Sequence, residues 1–487
     1  MLSRILNSSL FLFIAVILSV TSCTKDETFD NSPSTKLSFS ADTLIFDTVF
    51  STIGSITGQL HVYNKSSEKI RISSIKLAGG TGSRYSINVD GLPGNEFNDV
   101  EIAAKDSIFI FVRITVNPQE TNLPFIVTDS IVFETNGNLQ DIDLVAWGQN
   151  ARFIRWNVDR PNLPKYRLVA GEGVDTTWTN DLPIVVYGYA VVDSTGSLTI
   201  NAGTKIYFHN ASGLWIYKGG SLKVLGNMEE PVYFQGDRLD EYYRDLPGQW
   251  DRIWLNEGSI DNEINYAVIR NGFIGIQAET LQEFMGNQLT ISNTIIENMS
   301  GAGILTRYYL IAGSNCVIAN CGQYALALTL GGSYDFRQTT IANYWDFGYR
   351  QTQSVILNNY IKDADGQVFA YPLSANFANC IIYGNRDEEI LFDQNETEQF
   401  VYKFDHCLIK TLQDMTDQEK YLNCIKNQDP LFVDYEVNNF ELDSLSPAQN
   451  VGNIEIANTV PLDLKGINRT ESPDLGAYEW IPVIGKR

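Results

Sequence analysis

Apolar and polar residues alternate in short runs along most of the chain. Between Tyr266 and Lys410 six of these runs can be laid on one another: Tyr266–Asn271, Asn293–Asn298, Asn315–Asn320, Gln338–Asn343, Asn379–Tyr383 and His406–Lys410. By subtraction their starts lie 27, 22, 23, 41 and 27 residues apart. The fourth position is Ile in every copy, the second is Ala, Thr or Cys, and the sixth is Asn in the first four, with Asn385 one residue late in the fifth. In a strand, positions 2, 4 and 6 share one face. The pattern therefore predicts coils stacked at about 4.8 Å, each laying its Ile on the previous one. A single coil cannot bury its own face, so the copies make sense only as a stack. Asn at the strand end suits a bend, where stacked amides hydrogen-bond up the ladder. Position three (Val268, Ile295, Val317, Thr340, Ile381, Leu408) has the opposite parity and points outward. An apolar outward stripe predicts that another segment or a partner covers it.

The same patterning divides the rest of the chain. Residues 37–150 hold alternating runs such as Leu60–Asn64, Ile108–Ile114 and Asp129–Phe133, separated by turn clusters at Gly79–Gly82 and Asn117-Pro118. Strands at that density predict a β-sandwich. Residues 151–190 read as a connector and N-terminal cap, 191–428 as the right-handed parallel β-helix, and 429–487 as a C-terminal cap that closes the open end of the core. The fold class is thus all-β. Between two coils, Gly236–Arg244 is charged and aromatic and breaks the coil rhythm, so it should protrude as a loop.

Composition narrows the partners. Across 487 residues, 35 Lys and Arg stand against 58 Asp and Glu, for a formal net charge of −23. Such a surface cannot replace phosphate counterions, which argues against nucleic acid, and it disfavours docking on anionic head groups. Three of the six cysteines (Cys316, Cys380, Cys407) fall in the second column of the repeat, where Cys serves as a small buried hydrophobe. Neighbouring coils would bring some of these sulfurs together without requiring a disulfide, and no CxxC spacing points to a metal.

The N-terminus reads as a secretory signal over residues 1–22, with Arg4 before an apolar run from Leu10 to Val20 that is too short to span a bilayer. It ends in Val20-Thr21-Ser22-Cys23, which resembles a lipobox; the resemblance implies diacylation (palmitate-type chains) of Cys23 and a membrane anchor. The following Thr24-Lys25-Asp26-Glu27 resembles the tag that carries lipoproteins to the outer surface of some Gram-negative bacteria. The expected location is the outer membrane, lipid-anchored and facing the exterior. Residues 23–36 look like a tether.

Three further stretches carry resemblances. Leu60 to Ser66, an alternating strand followed by an Asn-x-Ser turn, resembles immunoglobulin-like modules of the abnormal-spindle and pilus-chaperone type. Ala202–Ile206 resembles the opening coil of secreted β-helix proteins. The ordered series Asp429–Asp434, Phe440–Leu442, Ser446–Ala448 and Asp474–Glu479 is similar to the C-terminal end of right-handed β-helix proteins of the pectate-lyase-like superfamily. That superfamily contains polysaccharide lyases and hydrolases. The Asn-Thr-Asp, Gly-Asp-Asp, Gly-His-Gly and Arg-Ile-Lys motifs of its polygalacturonase type are all missing from this sequence. Of the three histidines, His61 falls in the sandwich, His209 near a coil corner, and His406 in the first column, where a ladder role fits.

A lyase would need clustered carboxylates for calcium and a Lys or Arg base. The candidates are Asp237, Asp240, Glu241 and Asp251, with Arg238, Arg244 and Arg252; the core set is Asp237, Asp240, Asp251 and Arg252. Tyr242, Tyr243, Trp250 and Trp254 could instead stack on sugar rings, or pack the loop onto the coil. The expected function is that of a non-catalytic binding or scaffold protein of the outer membrane, with a glycan or an envelope protein as partner and no cofactor. The alternative is a polysaccharide lyase or glycoside hydrolase, with calcium if a lyase. Asp-Ser/Thr-apolar triplets at Asp42, Asp47, Asp106, Asp129 and Asp443 resemble bacterial O-glycosylation acceptors, and equally fit a turn entering a strand.

Overall fold

A computed structural model describes residues 28–482 apart from 52, 53, 56, 118–124, 257 and 281–288. The signal segment and the lipidation residue Cys23 lie outside the described residues. Contacts divide the chain after Gln149 into two units.

The first unit is a β-sandwich of two five-stranded sheets. One sheet orders Ser38–Phe39, Gly58–Tyr63, Ser107–Ile114, Tyr85–Val89 and Leu92–Gly94; the other orders Thr43–Phe50, Asn138–Gln149, Phe125–Thr135, Ile70–Leu77 and Glu96–Ile102. Alternate residues such as Leu60, Val62, Ile110, Val112, Phe133 and Leu144 fill the space between them. Asn64, 2% exposed, explains the Asn-x-Ser turn. Its Nδ2 donates to the carbonyls of Glu68, Ile102 and Ala103, and its Oδ1 accepts from Ser66 N–H. At Asp47, Asp106 and Asp129 the carboxylate accepts the N–H of the next residue at 2.7–2.8 Å, but only Asp106 stands at the entry to a strand, Ser107–Ile114; Asp47 and Asp129 lie within Thr43–Phe50 and Phe125–Thr135.

The second unit is a right-handed parallel β-helix. Each coil contributes up to three strands, as in Val232–Gly236, Ile253–Leu255 and Asn262–Asn265, followed by Ala267–Arg270, Ile274–Glu279 and Leu289–Ser292. The first face holds eleven parallel strands among the described residues, from Arg152–Arg155 to Ile425–Lys426. The second and third faces fuse where Ala302–Ser314 and Leu326–Arg337 run unbroken across both. Ile269, Ile296, Ile318, Ile341, Ile382 and Ile409 pair in register up the first face, and each is 0% exposed. Burying each contributes roughly 1.5–3 kcal/mol. Stacking begins earlier than the boundary at 191. Arg152–Arg155 pairs with Ile184–Tyr187, and Tyr166–Ala170 with Tyr189–Val192, so the connector is itself coil. Its first strand is partly exposed on both sides, which hides the alternation.

One residue turns the chain from the third face to the first. At Tyr266, Asn293, Asn315, Gln338, Asn379 and His406 φ lies between 48° and 55°. That left-handed conformation favours Asn among residues with a side chain, which accounts for the first column. Part of the ladder forms: Asn293 Nδ2 donates to Asn265 Oδ1 at 2.8 Å, Asn315 Nδ2 to Asn293 Oδ1 at 2.7 Å, and His406 Nε2 meets Asn423 Nδ2 at 3.2 Å. At the far end of the strand Asn298 Nδ2 donates to Asn271 Oδ1 at 2.7 Å.

The outward apolar stripe is covered by the chain's own tail. Val317, Ala342, Ile381 and Leu408 form one buried cluster with Phe432, Phe440, Leu442, Leu475 and Ala477. The tail therefore caps the coil from the side, where the sequence predicted closure of the open end. The physical reason is the stripe itself, which needs a partner along its length. Ala477 N–H donates to Thr340 Oγ1, Gly476 N–H to the carbonyl of Asn379, and Arg469 to Asn315. Gly476 has φ +86°, and a Cβ there would meet Thr340 and Ile381, so the close approach requires glycine.

Candidate functional site

Four insertions leave the coil at one corner, between the first and second faces. Residues 237–249 follow Val232–Gly236, 344–354 follow Thr340–Asn343, 385–389 follow Ile381–Gly384, and 410–420 follow Leu408–Ile409. Clefts lie between successive loops. One of about 300 Å³ is lined by His209, Asn210, Asp237, Arg238, Tyr243 and residues 246–249. A second, of about 570 Å³, is lined by Asp245, Asn298, Asn320, Tyr344, Asp346, Phe347 and residues 435–438. A third, of about 400 Å³, is lined by residues 348–350, 385–388 and Leu412. The loop carrying Tyr243 and Asp245 borders the first two, and the loop carrying Phe347 and Tyr349 borders the last two. From the coil of His209 to that of Leu412 is seven first-face steps, which at about 4.8 Å each makes a row roughly 34 Å long.

In the first cleft Asp237 Oδ2 meets His209 Nδ1 at 2.8 Å, and the imidazole stacks on Tyr187 with centroids 4.5 Å apart. The hydrogen bond to Asp237 raises the His209 pKa above its usual value, against burial. Arg238 lies 3.4 Å over the Tyr243 ring and reaches Asp240 Oδ2 at 3.4 Å. The central cleft is aromatic, amide-rich and acidic. Tyr344 and Tyr435 stack with centroids 4.3 Å apart and planes 13° apart. Asn320 accepts from Tyr344 N–H and donates to Asn438, and Asn298 donates to the carbonyl of Asp245 at 2.6 Å. Among the described residues no Lys or Arg lines this cleft. Burial raises the pKa of Glu297, which hydrogen-bonds Asn438. Under the third cleft Glu389 accepts from Arg350 and Ser354, and the Arg350–Glu389 pair is buried; this holds the loop and leaves neither charge free.

The structure separates the predicted site residues. Asp237, Asp240, Tyr242 and Tyr243 stay on the loop, where Tyr242 is exposed and edge-on to Tyr243 at 5.0 Å. Asp251 and Arg252 fall beyond the turn made by Trp250. Asp251 pairs with Tyr189 and Arg252, and Arg252 also with Gln277, on the second face. Trp250 does not serve as a platform: it is 1% exposed, stacks on Phe208 at 4.6 Å and donates Nε1–H to Arg270 O at 2.8 Å. Gly272 leaves room for it. An indole that returns a loop to the core must itself be buried there. Trp254 stacks on Trp215 at 4.9 Å and donates to Glu279 Oε1, within the outward side of the second face. Among the described residues no group of three or more His, Cys, Asp or Glu is placed to hold a metal ion.

The loop aromatics Phe347, Tyr349 and Tyr435 were missed. The signal was present in Tyr344-Trp345-Asp346-Phe347-Gly348-Tyr349, a second aromatic interruption of the coil rhythm; Tyr435 reaches the site only because the tail lies alongside.

The description "right handed beta helix region" fits residues 251–404. No curated protein matches the chain. Among solved structures, XylC in complex with xylose is similar at 8% identity and TM-score 0.35, over 90% of this chain and 87% of that one. The catalytic unit of a GH87 alpha-1,3-glucanase from Streptomyces thermodiastaticus has 8% identity and TM-score 0.20, over 72% and 66%. A family 123 glycoside hydrolase from Clostridium perfringens has 9% identity and TM-score 0.18, over 25% of this chain and 30% of that one, so this chain spans under a third of that enzyme.

Proposed function

We propose that this protein is anchored by lipid at Cys23 on the outer-membrane surface, facing the exterior, and binds an extended glycan along the loop corner of its β-helix without cleaving it. The observation that carries the reading is the row of clefts edged by the exposed rings of Phe347, Tyr349 and Tyr435, with Tyr242 exposed on the same loop as Tyr243 of the first cleft. Sugar C–H faces pack on such rings, and the amides of Asn298, Asn320 and Asn438 supply donors and acceptors for hydroxyls. Asp245, Asp346 and Glu436 line the central cleft, with Asp245 paired to the exposed Arg244 at 3.3 Å, and this acidic excess favours a neutral glycan over a polyuronate. The anchor rests on Val20–Cys23, and the immunoglobulin-like reading of the sandwich rests on the Asn64 turn. An outer-membrane protein is the other partner consistent with an anchored chain.

Catalysis on extracellular polysaccharide is the second reading. Its support is the His209–Asp237 pair facing a cleft beside Arg238. Titration of neutral and acidic polysaccharides, followed by heat of binding, absorbance of unsaturated products and reducing ends, decides between them. Binding of a neutral polymer without new chain ends supports the first reading. New ends that disappear in Asp237→Asn establish the second. No heat with any polymer, or tighter binding of polyuronates, removes the first.

A further inference from the structure

The second column of the repeat ends in three cysteines on successive coils, Cys380, Cys407 and Cys424, and only the last is partly open to solvent. The flanking pairs Ile381↔Leu408 and Leu408↔Ile425 put the three in register. Cys380 N–H meets Cys407 Sγ at 3.4 Å, and Cys407 N–H meets Cys424 Sγ at 3.4 Å. Neighbouring strands of a sheet hold Cα atoms about 4.8 Å apart, inside the range of roughly 4.4–6.8 Å that a disulfide spans. We propose that Cys407 and Cys424 form a redox-dependent disulfide that staples the last coil of the β-helix to the one before it.

The chemistry follows from which sulfur can react. A hydrogen bond from the Cys407 thiol lowers the pKa of the partly exposed Cys424, which favours attack from that sulfur, whereas burial raises that of Cys407. Cys424 thiolate attacks a small-molecule or protein disulfide, RSSR; an S–S bond forms to Cys424 and RS⁻ leaves and is protonated. Cys407, losing its proton, then attacks Cys424 Sγ and expels the second RSH. Two thiols are oxidised and one RSSR is reduced to two RSH.

The place gives the bond its effect. Ile425–Lys426 is the end strand of the first face, with a ladder partner on one side only, so fraying starts there. The cross-link joins residues 17 positions apart and holds that strand down. Cys380 is buried between Thr339 and Cys407 in the same column and has no exposed sulfur to begin the exchange.

The test uses the full chain equilibrated with oxidised glutathione, alkylated, denatured and mapped by mass spectrometry. The expected result is a Cys407–Cys424 cross-linked peptide. Cys407→Ser should trap glutathione on Cys424, and Cys424→Ser should leave Cys316, Cys380 and Cys407 reduced. The denaturant midpoint of the oxidised wild type should fall on reduction, while that of Cys424→Ser should not move. Free thiols at both positions after oxidation, a Cys380–Cys407 pair instead, or glutathione trapped on Cys407 in Cys424→Ser would each overturn the proposal.

Discussion

Arg469 Nη2 donates to Asn315 Oδ1 at 3.1 Å, joining the tail to a corner residue 154 positions earlier. The same guanidinium donates to the carbonyls of Gly476 and Ala477 at 3.2 Å and pairs with Glu479 at 3.4 Å. It is 1% exposed, with Asp463 and Asp474 also near. Truncation to Arg469→Ala leaves buried carboxylates without their cation. The expected loss is about 3–5 kcal/mol of unfolding free energy, read from urea midpoints. Lys465→Ala, which removes an exposed pair with Glu441, should cost under about 1 kcal/mol. Equal small effects would mean that the tail is not held by this residue.

The same cluster sets a pH dependence. Burial, with Asp474 beside it, raises Glu479 to about 7, and burial also raises Asp474. An unfolded Glu titrates near 4.3. Between that value and about 7 the folded chain holds the proton that the unfolded chain has lost, so this group makes stability fall as pH rises through the window. The difference between wild type and Glu479→Gln isolates it. Denaturant midpoints from about pH 5 to about pH 8 should fall more steeply in the wild type. Parallel curves would remove the assignment.

Gln338 is the weak rung of the corner column. It adopts φ 48°, and both its amide atoms are buried without a hydrogen-bond partner. Asn tolerates this conformation better, and the shorter side chain withdraws two unsatisfied atoms from their present site. Gln338→Asn should therefore stabilise the protein by roughly 1 kcal/mol, seen as a higher melting temperature. An unchanged or lower one would show that ring-corner conformation is not limiting here.

Glycan affinity should depend on the loop rings and not on those of the second face. Tyr435→Ala should weaken binding of a neutral glycan roughly tenfold or more, and Tyr435→Phe much less, because the ring supplies the contact. Trp254→Ala, which unstacks Trp215, should lower stability and leave affinity unchanged. Isothermal titration of both variants, with thermal melts alongside, separates the two effects. Affinity lost with Trp254 and kept without Tyr435 would move the site to the second face.

Much of the architecture could be read from one column of isoleucines, because a strand's period of two turns an Ile at the fourth position of each copy into an inward stack. The buried alternation of Ile108, Ile110 and Val112 marked the sandwich in the same way. The outward stripe was legible as a surface needing cover, but not what covers it. Phe440 and Leu475 sit far along the chain, and a long-range docking leaves no local period. The corner conformation was hidden in plain view, since Asn in the first column signals positive φ as well as a ladder. The site was least legible. Trp250 and Trp254 are four residues apart, yet one enters the core and the other the outward face, because the loop re-enters the coil between them.

The tail has a consequence for synthesis. The stretch that dries this surface is translated after the coils that build it. A ribosome halted before Phe432 would release a chain with its coils in register and Val317, Ile381 and Leu408 bare to water. Quality control by proteases or chaperones could read that strip as the mark of an unfinished molecule.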